Sequence, residues 1–348
     1  MENSTMTKAS DFTKYPRLFI TYRWFKPLLV LLIAGAFYMI FSVLLVFAGM
    51  AGDAAMGTDV IGSVMGGYDS FDSYSAMGSL VNLGSVACML LALILGAEIV
   101  GDRPFSSYSS SRGGWSFRIF FACLAVCLVV CALPNVIIAL FVDGRTDVSR
   151  FTVAGFILCT ILGPLQCVAE EYVFRGFLMQ TFGSWTRIPL IAIILQSIAF
   201  AALHPYNTLG VILILFDGIC FGLIAWYTKG LEATSALHIV NNMSAFYLSG
   251  FGYGAISSEV DYTSFIWAAA INIVYIIIII VIDKKLGWFD HVKRDDVTEF
   301  NAKAEALRER KAARKAAKAA RRGEGTAESV SAENSKREDA VNGAEEQI

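Results

Sequence analysis

Eight stretches of this chain run for 17 to 26 residues with few charges: 27–49, 79–100, 117–142, 152–170, 188–204, 208–227, 233–250 and 264–283. An apolar run of about 20 residues is long enough to cross the hydrocarbon core of a bilayer as a helix. A helix can do so because it satisfies its own backbone hydrogen bonds, which an open strand cannot. The pattern predicts an all-α fold, a polytopic integral membrane bundle of about eight transmembrane helices. Composition agrees, with 56% of the 348 residues hydrophobic and the charges crowded toward the two ends. The first run follows a charged lead and has no small-residue cleavage site behind it, so it reads as a retained span and not as a signal peptide.

Positive charge in short loops sets the orientation of such a bundle. The lead carries Lys8, Lys14, Arg17, Arg23 and Lys26, whereas 51–76 holds Asp53, Asp59, Asp69 and Asp72 and no Lys or Arg. Arg103, Arg112 and Arg118 mark the next inside loop, and Lys284 and Lys285 follow the last run. Both termini are therefore expected in the cytoplasm, and the architecture suggests a bacterial plasma membrane. Five segments result: a cytoplasmic lead (1–26), three N-terminal membrane helices (27–150), a helical core (151–250), a loop with the last helix (251–283) and a charged tail (284–348). Within the tail, "NAKAEALRERKAARKAAKAARR" (301–322) is an Ala-rich basic helix former suited to anionic lipid. The acidic remainder lacks apolar periodicity and reads as disordered. Nucleic acid is not expected as a partner. All seven cysteines fall in the apolar runs, where they read as small hydrophobes and not as a disulfide framework.

One apolar region breaks the rule that charge is kept out of a membrane. "QCVAEEYVFRGFLMQ" (166–180) places Glu170, Glu171 and Arg175 directly after a stretch with no charge at all. Ionisable groups at membrane depth are costly, and they mark functional sites. On one helix through 155–181, Glu171 and Arg175 lie four apart on a common face, with the acid first, the favourable order for an ion pair. Glu170 points about 140° away from Arg175. It is left unpaired within the helix, where it can serve as a general base.

Two of the three histidines also fall in the apolar runs. "IAFAALHPYN" puts His204 at the end of the fifth, and "SALHIVNNMS" puts His238 in the seventh. Asn241 and Asn242 follow His238 at three and four residues, and spacing alone does not separate them, because both approach the histidine face. If the fourth helix continues to about residue 182, the chain turns back and returns His204 to within a turn or two of Glu170. Ser235 stands beside the start of the seventh helix and is expected to cap it.

In order and separation, "EEYVFR", "FAALH" (Phe200–His204) and "HIVNN" (His238–Asn242) resemble the EExxxR, FxxxH and HxxxN motifs of the CPBP intramembrane proteases. These are also called the CAAX-protease or Abi family and include type II CAAX prenyl endopeptidases. The glycine-spaced "FDGICFGLIAWYTKGLEATSALH" is similar to the family's link between its second and third motifs. The likeness covers about 150 to 250, under a third of the chain. It implies an endopeptidase in which Glu170 activates water with His204, while His238 and Asn242 hold the oxyanion. Glu171 and Arg175 match the motif's other charged positions as supporting residues. The family is described both as zinc metalloproteases and as metal-free glutamate proteases. Under the first description Glu170, His204 and His238 are the metal ligands. Asp217 is a departure, an acid where the family more usually has an apolar residue, and it is expected to bond to a neighbouring helix or tune the site.

The resemblance implies a peptide or membrane-associated protein as substrate, cut near the cytoplasmic side of the bilayer, with peptide maturation or self-immunity as the setting. Two rivals stand beside it: a non-hydrolytic transporter with a polar centre, and an immunity or scaffold protein that recruits a partner through its basic tail.

Overall fold

The computed structural model describes residues 9–57, 59, 62, 74–145, 147–254, 257–290 and 292–318. Asp69, Asp72, Lys8 and the acidic end of the tail lie outside the described residues. Among those described, the architecture is helical throughout, and its one β-bridge is the isolated pair Ser110 and Gly230.

Among the described residues up to 286, eight long helices form: α1 (Lys26–Met56), α2 (Ala76–Val100), α3 (Phe117–Val142), α4 (Val153–Thr186), α5 (Pro189–Ala202), α6 (Thr208–Thr228), α7 (Glu232–Gly250) and α8 (Tyr262–Leu286). Their ends carry ordinary local signals. Ser75, Thr152, Asn207 and Asp261 accept a backbone N–H from the first turns of α2, α4, α6 and α8. Left-handed Gly57, Gly101 and Gly287 close α1, α2 and α8.

Six of the eight are long and apolar enough to cross a membrane, and the protein is an integral membrane protein. Of the eight expected spans, α5 and α7 do not meet that measure of length and apolarity. Helix α5 has 14 residues, about 21 Å at 1.5 Å per residue, short of a hydrocarbon core. Helix α7 has the length but is too polar, because it carries Glu232, Thr234, His238, Asn241 and Asn242. These two are the helices that serve the site.

Helix α4 runs without a break through Pro164 to Thr186, but from Tyr172 to Met179 it widens into π geometry. Such insertions are rare and frequent at functional sites. This one begins directly after the two glutamates. Helix α5 then lies close against α6, where glycines make room for it. A Cβ on Gly218 would stand 2.9 Å from the Cβ of Ser197, and one on Gly222 would meet Gln196 and Ile193. The Gln196 amide donates to the Gly218 carbonyl at 2.9 Å.

The loop between α2 and α3 is a buried wedge. Arg103 and Arg112, read from the sequence as charges of an inside loop, are only 5% and 2% exposed. Arg103 bonds the Gln180 side chain, and its guanidinium lies 3.7 Å from the centre of the Tyr108 ring. Arg112 pairs with Glu232 at 2.7 Å and donates to the Thr228 carbonyl, so it grips the end of α6 and the start of α7 together. Its own carbonyl accepts the N–H of Lys293 at 2.7 Å, which stitches the segment after α8 to the same loop.

All seven cysteines are free thiols and six are buried, as their apolar settings imply. Cys123, Cys127 and Cys131 line the side of α3 that packs on α7 and α8. The chain divides into two units, Met1–Val297 and Thr298–Ile348. In the second, 298–318 is helical, and the tail's Lys303, Arg308, Arg310, Lys311, Arg314, Lys315 and Lys318 are exposed.

Candidate active site

Glu171 is the centre of the charged stretch. Completely buried, it accepts from Arg175 at 2.8 Å through one oxygen and from the Thr234 hydroxyl at 2.7 Å through the other. The first bond is the ion pair that the four-residue spacing implies. Arg175 is equally buried, and its Nε and Nη2 have no hydrogen-bond partner. Aromatic faces take that role: its Cζ is 4.4 Å from the centre of Phe200 and 5.0 Å from that of Phe221. A guanidinium is weakly hydrated and stacks well on rings, so it tolerates this setting where an ammonium would not.

His238 joins the two glutamates. Its Nδ1 lies 2.8 Å from Glu171 Oε1, and its Nε2 lies 3.2 Å from Glu170 Oε2. Each contact needs a proton, so two protons are shared among the imidazole and the two carboxyls. Counted with Arg175, the four groups sum to zero charge wherever those protons sit. That neutrality lets a buried charge cluster persist at low dielectric. Glu170 is not unpaired within its own helix, as the 140° separation from Arg175 implied. Gln166, one turn earlier, donates to its Oε2 at 3.3 Å.

His204 follows the end of α5. A carbonyl can only accept, so the 2.8 Å contact of Nδ1 with the Phe200 carbonyl places a proton on Nδ1 and leaves Nε2 free to act. The His204 ring stands 4.6 Å from that of Phe200, which in turn meets the edge of His238 at 6.1 Å. His204 is close enough to Glu170 and His238 to feel the charge of both.

The two asparagines part company. Asn241 donates to Asn272 of α8 at 3.0 Å, whereas Asn242 lies beside Cys167 of α4, one turn before Glu170. Asn242 is thus on the side of the glutamates. Ser235 does not cap α7, which begins three residues earlier. Leu231 holds the cap position without a side-chain bond, and the Ser235 hydroxyl is buried with no partner. Asp217 does bond to a neighbouring helix, accepting from Asn272 at 2.7 Å.

Among the described residues, no group of three or more His, Cys, Asp or Glu side chains is placed to hold a metal ion. Both nitrogens of His238 already face carboxylates, and that of Glu170 is in direct contact. As arranged, Glu170, His204 and His238 do not fit a resident zinc. Sequence reading does not find Gln166, Thr234 or Phe221, and it has Phe200 only as the first position of its motif, not as a ring over Arg175. Gln166 and Thr234 each stand four residues before a site residue, and that spacing was the available signal.

Comparison with known proteins addresses the same region. Residues 150–244 match the model of the family described as type II CAAX prenyl endopeptidase Rce1-like. This segment is similar to that family. It contains Glu170, Glu171, Arg175, His204, Asp217, His238 and both asparagines, whereas Arg112 and Asn272, which clamp α7 from outside, lie beyond the Rce1-like match. An uncharacterized protein, YyaK, of Bacillus subtilis (strain 168) is 30% identical over 162 residues, 43% of this chain and 54% of the relative. The chain thus spans about half the length of the curated relative it matches. No solved structure matches.

Proposed function

We propose that this protein is an intramembrane endopeptidase of the CPBP type, and that Glu170 is its base. The observation that carries the reading is the His238 imidazole held between Glu170 and Glu171 at 3.2 and 2.8 Å. For Glu170 to take a proton from water it must be ionised. The two shared protons then both reside on His238, which makes its Nε2–H a charged donor beside the reacting water.

The steps follow from that arrangement. Water enters between Glu170 and the free Nε2 of His204, and Glu170 removes its proton as the oxygen attacks the scissile carbonyl carbon. The carbonyl oxygen becomes an oxyanion and draws the Nε2–H of His238 and the amide of Asn242. Glu170 then returns the proton to the leaving nitrogen as the C–N bond breaks. Glu171 and Arg175 do not touch the substrate; Glu171 accepts from Nδ1 of the His238 ring and so holds its angle, and Arg175 holds Glu171. The residues as placed support the metal-free form of this chemistry.

The substrate class is a peptide or the terminal segment of a membrane-associated protein, cleaved near the cytoplasmic face with both termini on that side. Maturation of a peptide, or immunity to one, is the setting that a bacterial protein of this type suits.

The test is quantitative mapping of new peptide termini in cells making the wild type or Glu170→Gln at matched membrane levels. Termini that vanish in the variant, with a loss of about 10²–10⁴-fold for a missing base, support hydrolysis and name the substrate. Identical maps would sink the protease reading and return the transporter. Exhaustive chelation is expected to leave cleavage in place. A loss restored by zinc would instead assign Glu170, His204 and His238 as ligands.

A further inference from the structure

Helix α7 carries His238 and Asn242, and its rotation about its own axis decides whether they face α4. On the side toward α4 it is held by the Thr234 and His238 bonds to the glutamates. On another side it is held by a chain of three polar groups from three helices. Asp217 of α6 accepts from the Asn272 amide nitrogen of α8 at 2.7 Å, and Asn272 Oδ1 accepts from the Asn241 amide nitrogen of α7 at 3.0 Å. Asn272 is 1% exposed, so neither end of its amide has water as an alternative partner. One turn on, Tyr275 of the same α8 face donates to the Ala233 carbonyl at 3.1 Å, within the first turn of α7.

The chain has a direction. An amide nitrogen can only donate, and Asp217 offers its Oδ1 to it as the acceptor. Asp217 therefore turns the nitrogen of Asn272 toward α6 and its oxygen toward α7, which in turn fixes the nitrogen of Asn241 toward α8. Successive helical residues are about 100° apart, so pinning Asn241 on α8 swings Asn242 away from α8 and toward Cys167 and Glu170.

We propose that Asp217, acting through Asn272 and Asn241, is a positioning residue that sets the rotation of α7 and so presents Asn242 and His238 to the reacting carbonyl. Asn272 lies outside the Rce1-like segment, so the last helix completes a site that the segment does not complete alone. The meaning of "reacting carbonyl" rests on the proposed function; the setting of α7 does not.

The first readout therefore needs no substrate. In the full chain in membranes, Asn242→Cys puts a thiol beside Cys167, and a membrane-permeant copper oxidant removes two electrons and two protons to join the pair. The initial rate of that cross-link reports the rotation of α7. Asp217→Leu and Asn272→Leu are expected to slow it several-fold, while Asp217→Asn, which keeps an acceptor oxygen, holds it within about twofold. Equal rates in Asp217→Leu and the parent overturn the proposal. So does an Asp217→Asn rate as low as that of Asp217→Leu, because charge and not the bond would then be responsible.

The second readout uses the Glu170-dependent product with Asn242 restored. Turnover per folded molecule in Asp217→Leu is expected to fall about tenfold or more, since small misplacements at a reacting centre are costly, with KM unchanged and Asp217→Asn close to wild type. The double variant Asp217→Leu, Asn272→Leu should be no worse than either single one, as members of one chain are not additive. Multiplied losses would overturn it. If no product depends on Glu170, the protease reading fails, and the cross-link still decides the rotation of α7.

Discussion

Arg175 shows how a single buried charge can be structural and necessary at once. One of its nitrogens pairs with Glu171, and the remaining edge is covered by Phe200 and Phe221 instead of by hydrogen bonds. Removing it strands Glu171 at full burial. Arg175→Met is expected to destabilise the protein by about 3–5 kcal/mol, the usual cost of breaking a buried pair from one side. A lowered unfolding midpoint in detergent, with a loss of folded protein in the membrane, checks this; an unchanged midpoint would remove the pair from the scaffold. The spacing of Glu171 and Arg175 announced their bond, because i and i+4 neighbours are a property of any helix. The bond of His238 to both glutamates was not legible in that way. It joins residues 67 apart in the chain, and no local periodicity reports which helices will meet.

At the scale of elements, the site depends on close helix contact more than on helix length. Helices α5 and α6 approach until a Cβ at Gly218 would crowd Ser197. Gly218→Leu must push them apart, at about 1–3 kcal/mol for overpacking. The shift moves Phe221 on α6 and His204 beyond α5, so Glu170-dependent cleavage is expected to drop sharply while Gly218→Ala is milder. The check is product formation at matched membrane levels; full activity in Gly218→Leu would show that this contact does not set the site. All eight helices were legible as apolar runs, with boundaries within a few residues except at the ends of α1 and α4, which run on to Met56 and Thr186. The short α5 and the polar α7 were legible as helices but not as the two that miss the length or the apolarity of a span. A lipid-facing run and a run sheltered inside a bundle look alike in sequence. The π stretch in α4 left no sequence mark at all, since its cause lies in packing.

For the whole molecule, the Met1–Val297 unit holds every residue of the site, and the basic helix over 298–318 belongs to the other unit. Removal of 298–348 is expected to leave cleavage within about twofold, measured on the same product; a scaffold that recruits through its tail would lose its phenotype entirely. Tail charge was easy to read, whereas the burial of Arg103 and Arg112 was not, because a loop arginine looks the same whether it is solvated or wedged under a bundle. The Arg112 wedge meets Glu232 at the head of α7 and Lys293 after α8, and Asn272 of α8 holds α7 from the side. Synthesis runs from the N-terminus, so the ribosome has made both glutamates and both histidines well before it makes Asn272 or Lys293. A nascent chain therefore carries all its reactive groups before the hold of Asn272 on α7 exists, and by the role proposed for that hold it gains its final setting only when α8 has entered the membrane. Translation itself would then act as the safety catch.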